Sequence, residues 1–203
     1  MSQSDESTLH RYWDPLQKRD AVRVLPGGYY VSTNGELIVT TLGSCVAACV
    51  RDVVTGVGGL NHFMLPEGSI NGRGGKHWGG VTAATRYGDF AMEALVNGIL
   101  RLGAQRKNLE VKLFGGARIL RQMTNVGETN INFARFFLEM DNLKLVAEDV
   151  GGTPPRKVYF YTDTGRVRVK RITSLHNTTL IDREREYSET LKKSPVTGNV
   201  ELF

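Results

Sequence analysis

A chain of 203 residues suits one large core or one core with tails. Its 40% hydrophobic and 23% charged content argues against a disordered chain, its two cysteines exclude a disulfide framework, and no apolar run approaches the roughly 18 residues of a spanning helix. The net charge of +5 is scattered. Its densest group, RVRVKR at residues 166–171, alternates with valine as the wet face of a strand does, and no recognition motif accompanies it, so nucleic acid is not an expected partner. No basic, apolar leader opens the chain, which sets the expectation of a cytoplasmic protein that does not insert into a membrane.

Residues 1–26 are polar without a sustained apolar period and predict a flexible N-terminal arm. GGYYVS (27–32) and ELIVTTL (36–42) are rich in β-branched and aromatic residues around Asn34-Gly35 and predict two short strands joined by a tight turn. CVAACVRD (45–52) and VGGLNHFML (57–65) follow as a hairpin whose strands lack alternation and are therefore expected to be covered on both faces. The glycine-rich stretch 68–80 reads as a loop beside whatever site the hairpin forms.

A helix is expected over TRYGDFAMEALVNGILRLGA, with Tyr87, Ala91, Ala94, Leu95, Ile99 and Leu102 at helical spacing and Gly103 as its stop. LEVKLFGGA (109–117) predicts a buried strand, NINFARFFLEM (130–140) a helix capped by Asn130, LKLVAEDVGG (143–152) another strand, and residues 156–172 a hairpin around Asp163-Thr164-Gly165. Beyond residue 173 the chain turns polar, and residues 182–193 read as a short exposed helix in a C-terminal extension. The sequon at Asn177 has no secretory context, and the pairs Gly115-Gly116 and Gly151-Gly152 match no phosphate-loop pattern, so tight turns explain them.

If the hairpin closes on a four-residue loop, 53–56, Asp52 faces Val57 and Ala47 faces His62, which puts Cys45 diagonally across from His62 on the same face. A free thiol is mostly protonated at neutral pH, and an imidazole within reach takes its proton to make a nucleophile. The Gly43-Ser44 step before Cys45 allows a sharp bend that turns backbone N–H groups outward, as an oxyanion site requires. Against this stands the plain alternative of packed core thiols, which is the reading for Cys49, and of a core histidine. A metal site from Cys45, Cys49, His62 and His77 matches no common zinc spacing; His10, His77 and His176 are expected in exposed loops or tails.

The ordered motifs TTLGSCVAACVRD, GVGGLNHFMLP, RYGDFAMEALVNGILRLGA, KLFGGA, NVGETN and AEDVGG resemble the chemoreceptor glutamine deamidase family, CheD, from about residue 27 to residue 172. The resemblance implies a single α/β (α+β) domain of mixed β-sheets layered with helices, an α/β/β/α sandwich, at residues 27–172. It also implies a cysteine-dependent amidohydrolase converting glutamines of bacterial methyl-accepting chemotaxis receptors to glutamate with release of ammonia. Cys45 and His62 carry the family's catalytic pair. A threonine precedes the cysteine in the family; counting lands on Val39, with Thr40 and Thr41 beside it, and Thr40 is carried as the third member, with Thr41 or a backbone carbonyl as alternatives. Gly43, Ser44 and Asn61 are carried as substrate-binding residues. The implied chemistry calls for no metal or organic cofactor.

In some members a chemotaxis phosphatase related to receptor adaptation binds the deamidase. The positive charge is suited to glutamate-rich receptor helices, with loop 68–80 as the rim of an open groove. Two other readings remain: a non-catalytic chemoreceptor adaptor in which Cys45 only packs, and a cysteine hydrolase of another amide or ester.

Overall fold

The computed structural model describes residues 8–65, 83–119, 126–173 and 179–193. The loop 68–80, His77, His176 and the sequon at Asn177 lie outside the described residues. In chain order the elements are β1 (Leu9–Asp14), β2 (Arg19–Val24), β3 (Tyr29–Ser32), β4 (Leu37–Leu42), β5 (Val46–Asp52), β6 (Gly58–Asn61), α1 (Ala83–Arg101), β7 (Leu109–Gly115), α2 (Val126–Met140), β8 (Lys144–Val150), β9 (Arg156–Tyr161), β10 (Arg166–Arg171) and α3 (Thr179–Lys193). They build two five-stranded mixed sheets, β1-β2-β4-β9-β10 and β3-β6-β5-β7-β8, the α+β arrangement expected. No helix among the described residues is long and apolar enough to cross a membrane.

The β5–β6 hairpin has the expected register: Arg51 pairs with Gly58, Val50 with Gly59 and Cys49 with Leu60, and the Val46–Phe63 bridge continues it. Asp52 sets this register chemically. Its Oδ1 accepts the N–H groups of Val54 and Thr55 at 2.7 and 2.9 Å, closing the turn, while Oδ2 accepts Gln105 N–H at 2.8 Å. One face of β5 (Val46, Ala48, Val50) packs under α1 and α2 with Met92, Leu95, Ile99, Phe133 and Phe137. The other face (Cys45, Ala47, Cys49), with Leu60 and Met64, meets Ile38, Leu42, Val158 and Phe160 of the opposite sheet. Burial on both faces explains why these strands show no alternation.

Five expectations change. Residues 9–24, read as an arm, form β1 and β2, paired antiparallel from Leu9–Val24 to Asp14–Arg19. β1 lies at the sheet edge with half of its six positions exposed, so it lacks the apolar run that marks an inner strand. β3 and β4 exist but do not pair with each other: β3 joins β6, and β4 lies between β2 and β9, so the Asn34-Gly35 segment carries the chain from one sheet to the other. α2 begins at Val126, which puts Asn130 inside the helix and not at its cap. His10 lies on β1, and Leu102, assigned to the buried helix face, is exposed past the end of α1.

Candidate active site

The site lies in the layer between the sheets, where β4 and the end of β6 come together. Thr40 lies two residues from both Ile38 and Leu42 and so points inward with them from β4, while Val39 belongs to the outer face of that sheet with Ala21 and Leu37. His62 follows β6, is 2% exposed, and is held by backbone bonds from Gly27 N–H to its carbonyl and from its N–H to Gly28. Thr40 Oγ1 lies 2.8 Å from His62 Nδ1 and donates its own proton to the Val24 carbonyl at 2.8 Å. A hydroxyl has one proton and a carbonyl can only accept. Nδ1–H is therefore the donor to Thr40, and Nε2 carries the lone pair. That Nε2 is buried and has no hydrogen-bond partner among the described residues.

Cys45, fully buried, shares the inter-sheet layer with Ala47, Cys49 and Met64. It ends a segment fastened from behind at every carbonyl. Gly43 C=O accepts Ala117 N–H at 2.7 Å, Ser44 C=O accepts Asn130 Nδ2–H at 2.9 Å, and Cys45 C=O accepts Gly116 N–H at 2.7 Å. Gly115 permits this approach: at φ +108°, a Cβ there would sit 2.2 Å from Cys45 O. With the carbonyls fixed inward, the three N–H groups turn outward and converge, the arrangement of a backbone anion nest.

A carboxylate fills the nest. Glu184 of α3, 4% exposed, accepts Gly43 N–H at 2.8 Å, Ser44 N–H at 2.9 Å, Ser44 Oγ–H at 2.6 Å and, at the long end, Cys45 N–H at 3.5 Å. Burial, and after it the charge of Glu184 and a hydrogen bond to it, push the Cys45 thiol well above its ordinary value. Burial likewise lowers His62 to about 3, partly opposed by the Val24 carbonyl. With Glu184 seated, the pair rests as neutral thiol and neutral imidazole. Cys49 is pushed up by burial alone, with Lys112 opposing, as suits a packing thiol.

Of the residues singled out in the sequence, Thr40 and His62 are in direct contact, and Cys45, Gly43 and Ser44 line the adjoining nest. Thr41 faces away from the inner layer. Asn61 does not belong to the site: its Oδ1 accepts Ala48 N–H at 2.8 Å and its Nδ2 donates to Ala91 C=O at 2.9 Å, which commits it to the opposite face of β6 and to α1. Neighbours in a strand point to opposite sides, so His62 and Asn61 cannot share a site. Asn130 and Glu184 were missed. Asn130, which also accepts Leu65 N–H at 2.8 Å, carried the signal of a polar residue amid the apolar face of a helix; Glu184 lies about 140 residues from its partners and carried none. Among the described residues, no group of three or more His, Cys, Asp or Glu is arranged to hold a metal ion.

Fold and site together define a single α+β domain with a thiol and an oriented imidazole buried between two mixed sheets beside a backbone cradle for a carboxyl-sized group. The family described as CheD chemotactic sensory transduction matches residues 64–171. Proteins named probable chemoreceptor glutamine deamidase CheD are similar across nearly the whole chain: one from Halorhodospira halophila at 49% identity over 96% of this chain and 90% of its own, and one from Thiobacillus denitrificans at 50% over 98% and 97%. A third, from Janthinobacterium sp., is 50% identical over 95% of this chain and 93% of its own. The chain belongs to the CheD family. The solved Neisseria meningitidis protein NMB0706, at 11% identity and a TM-score of 0.36 over 61% of this chain and 53% of that one, is too slight a likeness to carry an argument.

Proposed function

We propose that the chain is a protein-glutamine glutaminase that deamidates glutamine side chains of bacterial chemotaxis receptors, with Cys45 as nucleophile and His62 as general acid and base. The observation that carries the reading is the pairing of an imidazole, held by Thr40 with its Nε2 lone pair free, with a nest of N–H groups at residues 43–45 that already accommodates a glutamyl carboxylate. The names borne by relatives at about half identity over almost the full chain support the substrate class.

In this mechanism His62 Nε2 takes the thiol proton and Cys45 Sγ bonds to the side-chain carbonyl carbon of glutamine. The carbonyl oxygen becomes an oxyanion that the N–H groups of residues 43–45 stabilise. The C–N bond then breaks, and His62 returns the proton to the departing nitrogen as ammonia. A thioester remains; His62 deprotonates a water that attacks it, and glutamate leaves as the thiol is restored. The balance is glutamine plus water to glutamate plus ammonia. Thr40 positions the imidazole throughout, the part played by the third member of a triad. A chemotaxis phosphatase belongs to the same proposal as a partner at the mouth of the site.

The test is mass spectrometry of receptor cytoplasmic fragments incubated with wild type and with Cys45→Ala. A gain of about 1 Da at particular glutamines, absent with the variant, is the expected result. Equal conversion by both proteins removes the nucleophile; no conversion by either removes the deamidase reading and leaves an adaptor.

A further inference from the structure

The cover of the site is a polar helix with one narrow footing. In α3, Asp182, Arg183, Arg185, Glu186, Glu189 and Thr190 are exposed, whereas Glu184 and Ser188 are buried and Leu180, Tyr187 and Leu191 half-buried. From Glu184 as i, these five stand at i−4, i, i+3, i+4 and i+7, a single stripe along the helix. Tyr187 and Leu191 pack against the rim of the inter-sheet cluster, and the Tyr187 hydroxyl pairs with that of Tyr87. Tyr187 also lies over Gly27, where a Cβ would come within 2.9 Å of its hydroxyl. Ser188, one turn after Glu184, is small and buried. Beside the stripe a cleft stays open, with Thr8, Arg23 and Pro26 facing Arg183, Glu186 and Thr190.

The group delivered by this stripe is chemically the product of the reaction proposed above: a glutamate side chain on a helix, its carboxylate on the N–H groups that would hold the oxyanion. The fit is close on both sides, since a Cβ at Gly43 would come within 2.7 Å of Glu184 Oε1. Resting on the deamidase reading, we propose that α3 occupies the seat of the substrate helix, with Glu184 as a resident product analogue, and that a receptor helix gains the site by displacing it. The seat then selects helices that carry glutamine at i, a large apolar or aromatic residue at i+3, a small residue at i+4 and an apolar one at i+7. Displacement also removes the negative charge beside Cys45, which favours its thiolate.

The test uses the full chain in four forms: wild type, Glu184→Ala, Ser188→Phe, whose bulk lifts the helix without touching the carboxylate, and the exposed control Arg185→Ala. Iodoacetamide labelling of Cys45 near neutral pH is expected to rise on the order of tenfold in Glu184→Ala and Ser188→Phe, with initial rates of receptor deamidation rising alongside. Arg185→Ala should match wild type, and Cys49 should stay unlabelled in all four, reporting an intact core. Equal labelling of Cys45 in wild type and in both stripe variants overturns the proposal, whether or not receptors are deamidated. Faster labelling with no receptor conversion by any form keeps α3 as the cover of Cys45 but overturns the deamidase reading, and with it the assignment of the seat to a substrate helix.

Discussion

The segment that carries Cys45 and the helix that lies over it are held in different ways. Residues 43–45 have all three carbonyls tied to the body, from Gly116, Ala117 and Asn130, between strands buried on both faces. α3 rests on one stripe, Leu180, Glu184, Tyr187, Ser188 and Leu191, and its other described side chains face solvent. Under the proposed function the contrast separates two tasks. Catalysis needs donors aimed in advance, which only a packed body supplies; access needs a cover that can leave without unfolding that body.

Changes in the body should be costly and changes in the cover cheap. The largest effect is expected from Cys45→Ala, which should reduce the rate of receptor deamidation roughly 10⁴-fold or more while far-UV circular dichroism stays that of the wild type. Thr40→Val removes the hydroxyl that accepts His62 Nδ1–H, so kcat should fall at least roughly tenfold. Thr40→Ser should recover most of that loss and the wild-type pH–rate profile, which a merely structural role would not predict. Asn130→Ala strands Leu65 N–H and Ser44 C=O and should cost about 2–6 kcal/mol in urea denaturation, since each buried group left unpaired costs about 1–3 kcal/mol.

A smaller effect follows from the buried imidazole. His62 is lowered in the folded chain to about 3. From an ordinary value of about 6.5 down to there, the unfolded chain binds a proton that the folded chain refuses. Its contribution is therefore complete above about pH 6.5 and is lost as the pH falls, by about 1.4 kcal/mol per unit. Denaturation midpoints at pH 7 and pH 5 should differ by less in His62→Gln than in wild type. The smallest change is expected from Glu184→Ala, whose thermal midpoint should stay within about 2 °C of wild type, because water replaces the carboxylate once the cover lifts. A drop as large as that of Asn130→Ala would make α3 part of the body and erase the contrast.

Local patterns explain which parts were legible beforehand. The helix over residues 83–101, the strand at 109–115 and the hairpin at 156–171 follow from apolar spacing and turn residues, and Gly103 sits at φ +93° where a helix stop requires it. Asp52 makes the β5–β6 turn from its own side chain, so the register that puts Cys45 and His62 in one layer could be counted from the residues. β1 escaped because an edge strand interleaves polar residues that resemble an arm, and β2 because three of its six residues, Arg19, Asp20 and Arg23, are charged. Asn61 was misassigned because adjacency to His62 in sequence means opposite faces in a strand.

The sequence alone indicated the hairpin and, for a four-residue loop, a register that puts the sulfurs of Cys45 and Cys49 in one layer with the His62 imidazole, because those depend on side-chain alternation and one short turn. It could not decide whether Val39, Thr40 or Thr41 meets the imidazole, or that Glu184 enters the nest at residues 43–45. Those contacts join β4 of one sheet to the end of β6 in the other, and α3 to a loop about 140 residues earlier. Contacts of that range leave no periodic trace in the chain, and they form only when the two sheets stack and bring their inner faces together.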